Sequence, residues 1–205
     1  LLKSTRQHYH QRIAQVLEAQ FPETAEAEPE LLAHHYTEAG CWEQAVGYWQ
    51  RAGTRAVHHS ANPDAVQHLT RGLQLVALLP ETPGRAYQEL DLHRTLGIAL
   101  GATKGQAAPE VEQTYTRARA LCAQVGDTPQ RFRTLWGLQR FYRNRGALST
   151  ARELGEQLVG LAQRTGDPMQ SLEAHDALGA TLLGLQEQSP DFLRLAAYHS
   201  TCSRH

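Results

Sequence analysis

Apolar residues recur along this chain at helical spacing, and Pro, Gly and Asp interrupt them at short intervals. Residues 3–20 place Ile13, Val16 and Leu17 on one stripe, which Phe21-Pro22 ends. Residues 22–29 (PETAEAEP) read as an acidic linker with two prolines. Helical lengths follow at 30–39, stopped by Gly40, at 42–60, stopped around Asn62-Pro63, and at 63–79, stopped by Pro80. The turn 81–84 leads into 85–103, and Pro109 opens 109–126 in a position suited to a first helical turn. Gly126-Asp127-Thr128-Pro129 and Gly166-Asp167-Pro168 share one stop-and-start chemistry: a Gly to end a helix, a capping residue, then Pro. Between them lie 129–145 and 147–165, and a last helix runs from 168 to about 186. The pattern predicts an all-α chain of about nine helices with short connections.

Two of the turns have the same internal spacing. Tyr36, Gly40 and Ala45 form Y-x3-G-x4-A, and so do Tyr142, Gly146 and Ala151. Looser copies pair Leu96-Gly97 with Tyr115 and Ala118, and place Leu178-Gly179 near the end. Gly permits a tight turn, a small Ala lets the second helix approach, and the aromatic or leucine fills the gap between them. This is similar to the tetratricopeptide repeat, whose nominal period is about 34 residues. It implies antiparallel helix pairs stacked as a right-handed superhelix. One irregularity is Gly53, inside a stretch long for one repeat helix and short for two; a single continuous helix is expected there.

Composition agrees with helices. Leu and Ala each occur 28 times, against ten Val plus Ile, so helix formers swamp the β-branched residues that strands prefer. The formal charge of −1 exerts no global pull toward nucleic acid or an anionic membrane, and nucleic acid is disfavoured as a partner. Three cysteines, Cys41, Cys122 and Cys202, lie about eighty residues apart with no paired spacing, which suits a reducing, cytoplasmic compartment. The absence of a starting Met and of a signal-like opening reads as an internal segment of a longer protein.

Several stretches resemble the helical region behind the ATPase module of large bacterial signalling proteins. They are Arg12–Glu18 (RIAQVLE), Glu30–Tyr36 (ELLAHHY), Tyr48–Gly53 (YWQRAG), Ala108–Glu112 (APEVE) and Ala151–Leu158 (ARELGEQL). The resemblance implies that residues 1–28 connect from an upstream ATPase and winged-helix part, and that 29–186 are the repeats. It also implies an adenylate or guanylate cyclase, or a DNA-binding domain, elsewhere in the parent chain. Residues 187–205 depart from the family pattern, with Pro190 early and a histidine-containing tail, and are expected to pack poorly.

Catalytic chemistry finds no foothold. A nucleotide-binding loop needs Gly-x4-Gly-Lys-Ser/Thr, and Ala102-Thr103-Lys104-Gly105 lacks that spacing. The histidine pairs His8/His10, His34/His35 and His58/His59 point to different faces of a helix, so no metal site or cofactor is expected. Glu173, His175 and Asp176 have no nucleophile or anion hole beside them. The segment is therefore expected not to be an enzyme.

The sharpest local feature lies in 129–145. Leu135, Leu138, Phe141 and Tyr142 make its apolar stripe, and Arg133, Trp136, Arg140, Arg143 and Asn144 gather on the other side. Guanidiniums beside an indole suit a peptide carboxylate, an acidic segment or a phosphate. These five residues are the expected partner-binding groove, with a protein or peptide partner and the parent's own ATPase module as candidates. The expected function is an interaction or sensor module. The alternatives are a spacer or oligomerisation scaffold, or the effector domain of an ATP-dependent transcriptional regulator.

Overall fold

The computed structural model describes residues 2–125 and 129–187, which form ten α-helices and no strand. In chain order these are α1 (Leu2–Gln20), α2 (Pro22–Ala27), α3 (Pro29–Ala39), α4 (Trp42–His58), α5 (Asn62–Val76), α6 (Pro83–Lys104), α7 (Pro109–Val125), α8 (Pro129–Asn144), α9 (Leu148–Thr165) and α10 (Pro168–Glu187). Most packing is between neighbours in sequence: α3 on α4, α4 on α5, α5 on α6, α6 on α7 and α9 on α10, while α1 lies on α3. By packing, the chain divides into two compact units, with the break between Arg131 and Phe132. The expectation for residues 187–205 falls almost wholly outside the described residues.

Helix boundaries follow local chemistry closely. Residues 22–29, read as a linker, instead hold the six-residue helix α2, because Pro22 sits in its first turn, where no amide donor is needed. The turn 81–84 contributes the start of α6: the Thr82 hydroxyl accepts from the Arg85 amide at 3.1 Å, and Pro83 occupies the first turn. Asp167 starts α10 the same way, its carboxylate accepting from the amides of Met169 at 2.8 Å and Gln170 at 3.3 Å. The matching stop-and-start at 126–128 lies outside the described residues. Residues 42–58 form one continuous helix across Gly53.

The two Y-x3-G-x4-A turns have the same geometry. Gly40 and Gly146 take φ of +78° and +81°, a left-handed conformation that costs other residues a clash at Cβ. The Cys41 amide then donates to the Tyr36 carbonyl at 3.0 Å and the Gly40 amide to Thr37 at 3.1 Å. The amides of Ala147 and Gly146 repeat this on Tyr142 and Arg143, at 2.9 and 3.1 Å. Both are Schellman closures. Ala45 and Ala151, five residues after each Gly, are completely buried.

Glycines inside the helices set how closely those helices approach. A Cβ on Gly53 would lie 2.5 Å from Leu69 Cδ2, so α5 inserts Leu69 where α4 has no side chain. Gly72 of α5 receives Leu92 of α6 in the same way, with 2.9 Å to Cδ2. Gly97 of α6 receives the Tyr115 ring of α7, with 2.5 Å to Cζ. In the second unit Gly155 of α9 faces Leu178 of α10 with 3.2 Å to Cδ1. Leu69 and Leu92 are fully buried, each worth about 1.5–3 kcal/mol against exposure.

The first unit is thinnest at its start. Ile13, expected on the buried stripe of α1, is 43% exposed; Ala14 is the fully buried residue, and Leu17 packs beside it. Val16 and Leu17 of the expected stripe are half-buried, and Ala14 rather than Ile13 completes the buried face, in the same cluster as Leu32 and Tyr36 of α3.

Gly47 and Gly53 share α4 yet should respond oppositely to alanine. A Cβ on Gly47 meets nothing within 4 Å, so Gly47→Ala should stabilise by up to about 1 kcal/mol through helix propensity. Gly53→Ala gains the same propensity but must displace Leu69, and should destabilise by about 1–3 kcal/mol. Urea denaturation of the two variants beside the parent chain checks the opposite signs.

Candidate functional site

The five residues predicted as a groove do share one face of α8. Arg133 and Asn144 are exposed, while Trp136, Arg140 and Arg143 are half-buried. The opposite side supplies the core of the second unit through Leu135, Leu138 and Phe141, all at most 3% exposed, whereas Tyr142 is only half-buried. Arg140 Cζ stands 5.4 Å from the Trp136 ring centroid, a cation–π contact at helical i,i+4 spacing. Asn144 donates from Nδ2 to the Arg140 carbonyl at 2.7 Å, which holds that amide against the helix end.

Arg133 has a partner that sequence spacing could not reveal. Its Nη1 donates to both oxygens of Glu173 on α10, at 2.9 and 3.0 Å. The pair links the two helices and neutralises one of the three guanidiniums expected to be free. Glu173, considered for acid–base chemistry, is thereby committed. His175, considered with it, places Nδ1 2.7 Å from its own helix's Ser171 carbonyl. Arg140 and Arg143 have no carboxylate partner among the described residues and carry the positive charge of this face.

Beneath α8 lies a polar contact absent from the sequence reading. Gln139 is 1% exposed, and its Nε2 donates to the Ala177 carbonyl at 2.9 Å and to Thr181 Oγ1 at 2.8 Å. A buried amide so bonded fixes the register of α8 on α10, because sliding either helix would strand its polar atoms. Its one visible signal is a Gln among apolar positions.

The first unit holds a second polar centre. The hydroxyls of Tyr36 on α3 and Tyr48 on α4 both donate to the Glu18 carboxylate on α1, at 2.5 and 2.7 Å. The two rings stack with centroids 5.6 Å apart. The hydrogen bonds from Tyr36 and then Tyr48 hold the Glu18 carboxyl below its ordinary value. Burial and the bond to Glu18 push the Tyr48 hydroxyl up to about 12 and raise that of Tyr36 as well. Neither phenol ionises under ordinary conditions, so the arrangement holds three helices together and offers no nucleophile.

On α3 the rings of His34 and His35, expected to point apart, meet edge to face with centroids 5.7 Å apart, and tertiary contact adds a third imidazole. His10 of α1 places Nδ1 2.9 Å from Nδ1 of His35 on α3, and its ring centroid lies 6.0 Å from that of His34. The i,i+1 pair His34/His35 thus gathers around a third imidazole brought from α1. No group of three or more histidine, cysteine or acidic side chains among the described residues is arranged to hold a metal ion. No helix of the described residues is long and apolar enough to cross a membrane. Compared with known proteins, the chain matches no family model and no curated protein.

Three histidines make stability depend on pH. Burial, then the neighbouring His10 and His34, lower His35 below its ordinary 6.5; burial likewise lowers His68, stacked on Trp49, and His93. The unfolded chain therefore binds more protons than the folded one as pH falls below about 6.5, and stability declines across that window. The urea midpoint should drop between about pH 7.5 and 5.5. Replacing His68 by Phe should shrink the drop; an unchanged profile would contradict this origin.

Proposed function

We propose that this chain is a non-catalytic interaction and sensor module. In this reading it is built of tetratricopeptide-like helix pairs and belongs to a larger bacterial ATP-dependent signalling protein linked to nucleotide cyclisation. Residues 1–28 would form the connector from the ATPase part and 29–186 the repeat array. Support for the repeat reading comes from the matching Schellman closures at Gly40 and Gly146, and from the knob-and-glycine contacts between successive helices. Such arrays draw their stability from contacts between neighbours and use their extended surfaces for partners.

The observation that carries the function is the accessible face of α8. Arg140 is stacked on Trp136, Arg143 follows within one turn, and neither guanidinium has an acidic partner among the described residues. Two guanidiniums on one rigid helix can bind carboxylate or phosphate oxygens with little ordering cost. The recognition itself involves no bond making, and the segment should give no ATP turnover. An effector would bias the parent ATPase only through unequal affinity for two arrangements of the protein.

A second reading, an oligomerisation scaffold, is favoured by the outer face of α10. Met169, Leu172 and Leu183 are 63%, 65% and 64% exposed, a large apolar display for a single helix. Sedimentation velocity separates the readings, since a scaffold self-associates with rising concentration and a monomeric sensor does not.

The direct test is the double variant Arg140→Glu, Arg143→Glu, titrated with an all-acidic fluorescent peptide that ends in a free carboxylate. Binding should weaken by about tenfold or more while the thermal midpoint stays put. Equal binding by variant and parent would remove α8 as the recognition surface.

A further inference from the structure

A second surface, in the first unit, is built differently from the face of α8. Helix α4 is two-sided. Ala45, Val46, Trp49, Ala52, Gly53 and Ala56 are buried, while Gly47, Arg51, Thr54, Arg55 and His58 line a shallow groove, open to solvent, along its other side. Among the described residues no carboxylate lines that groove. Gly47 leaves open space halfway along the helix, because nothing lies within 4 Å of where its Cβ would be.

On the flank of the groove is a separate cleft of about 510 Å³ among α1, α2, α3 and α4. Pro22, Ala25, Pro29 and the side of Tyr48 give it an apolar lining, and Glu18 and Glu26 stand on its walls. Arg51 and Arg55 line both spaces, so the two guanidiniums stand on the ridge between them. Arg51 is held in place, with Cζ 4.9 Å from the Tyr48 ring centroid, and its charge acts on Glu18. Arg55 is exposed and has no ion pair among the described residues.

This arrangement selects among anionic partners. A polyphosphate backbone would track the basic side but meet Glu18 and Glu26 at the cleft, where repulsion opposes it. A peptide with one apolar side chain can seat that side chain in the cleft and lay flanking carboxylates across Arg51, Arg55 and His58. We propose that the ridge of α4 is a docking site for an acidic peptide segment carrying an apolar anchor. The anchor occupies the cleft between α2 and α4, and Arg55 supplies the main charge contact. The surface is independent of the one on α8 and would remain if that reading failed.

The test uses the full chain and a fluorescein-labelled peptide with one Phe flanked on both sides by Glu, followed by fluorescence anisotropy. Saturable binding that weakens as salt rises is expected. Arg55→Glu should lower affinity about tenfold without moving the thermal midpoint, and Phe→Ser in the peptide should lower it comparably. Arg55→Gln gives the same reading, at smaller amplitude, if the charge reversal disturbs folding. The Arg140→Glu, Arg143→Glu chain should keep the Phe-dependent part of this binding, since the α8 face offers no seat for the Phe. Absence of binding, parent-like binding by both Arg55 variants, indifference to the Phe, or equal affinity for a single-stranded RNA of matched charge would each overturn the proposal. Loss of binding in the α8 variant alone would assign the peptide to that surface and overturn it as well.

Discussion

Missing side chains hold this architecture together. Where α4, α5, α6 and α9 carry an interior glycine, the following helix fills the space with Leu69, Leu92, Tyr115 or Leu178. Interior glycine weakens an isolated helix by about 1 kcal/mol relative to alanine. Here that loss is offset by letting two backbones approach until Leu69, Leu92 and Tyr115 are buried and Leu178 half-buried, which recovers more through burial and dispersion. Because each glycine admits one neighbour at one height, the same contact sets both the spacing and the register of the helix pair. Loss of one such fit disturbs an interface rather than a single residue.

Polar groups reinforce the interfaces that this close approach leaves open. At the start of the chain α1 contributes little bulk, since Ala14 is its only buried residue. Its anchorage comes instead from Glu18, which accepts from two tyrosines on two other helices. In the second unit Gln139 has the corresponding role between α8 and α10, deeper and out of contact with water. Both are side chains whose partners lie on other helices. Arginines stand near each of them: Arg140 and Arg143 on the outer face of α8, and Arg51 and Arg55 on α4, lining the same cleft as Glu18. In each case one guanidinium is steadied by an aromatic ring, Arg140 by Trp136 and Arg51 by Tyr48. A charge held this way loses less entropy on binding than a freely rotating one.

Much of the fold was legible because helix ends are written locally. Gly40, Gly146 and Asp167 act on backbone groups within a few residues, so their consequences appear in the order of residues alone. The face of α8 was legible for a related reason: a helical period places Arg133, Trp136, Arg140, Arg143 and Asn144 together whatever the helix packs on. Where the reading missed, the deciding partner came from elsewhere in the chain. Arg133 is committed by Glu173, forty residues on, and His10 reaches His34 and His35 only because α1 packs on α3. Ile13 lies outside the buried face because α1 is largely exposed, and a stripe on such a helix is ambiguous by one residue until its neighbour is known. Residues 22–27 looked like a linker because acid and proline are common in both linkers and first helical turns.

From the order of residues alone came an all-α chain, the helix boundaries to within a few positions, one tight turn used twice, and a basic aromatic face on α8. These are short-range matters, set by capping, glycine conformation and the helical period. Tertiary structure decided which glycines face a large side chain and which face open space. It also decided which arginines are neutralised, and that the ridge of α4 lies between a cleft of mixed apolar and charged lining and a basic groove. Gly47 and Gly53 illustrate the division: six residues apart on one helix, they differ only in what a distant helix brings against them. Distances along the chain do not encode that difference, because it arises from shape and charge meeting across helices.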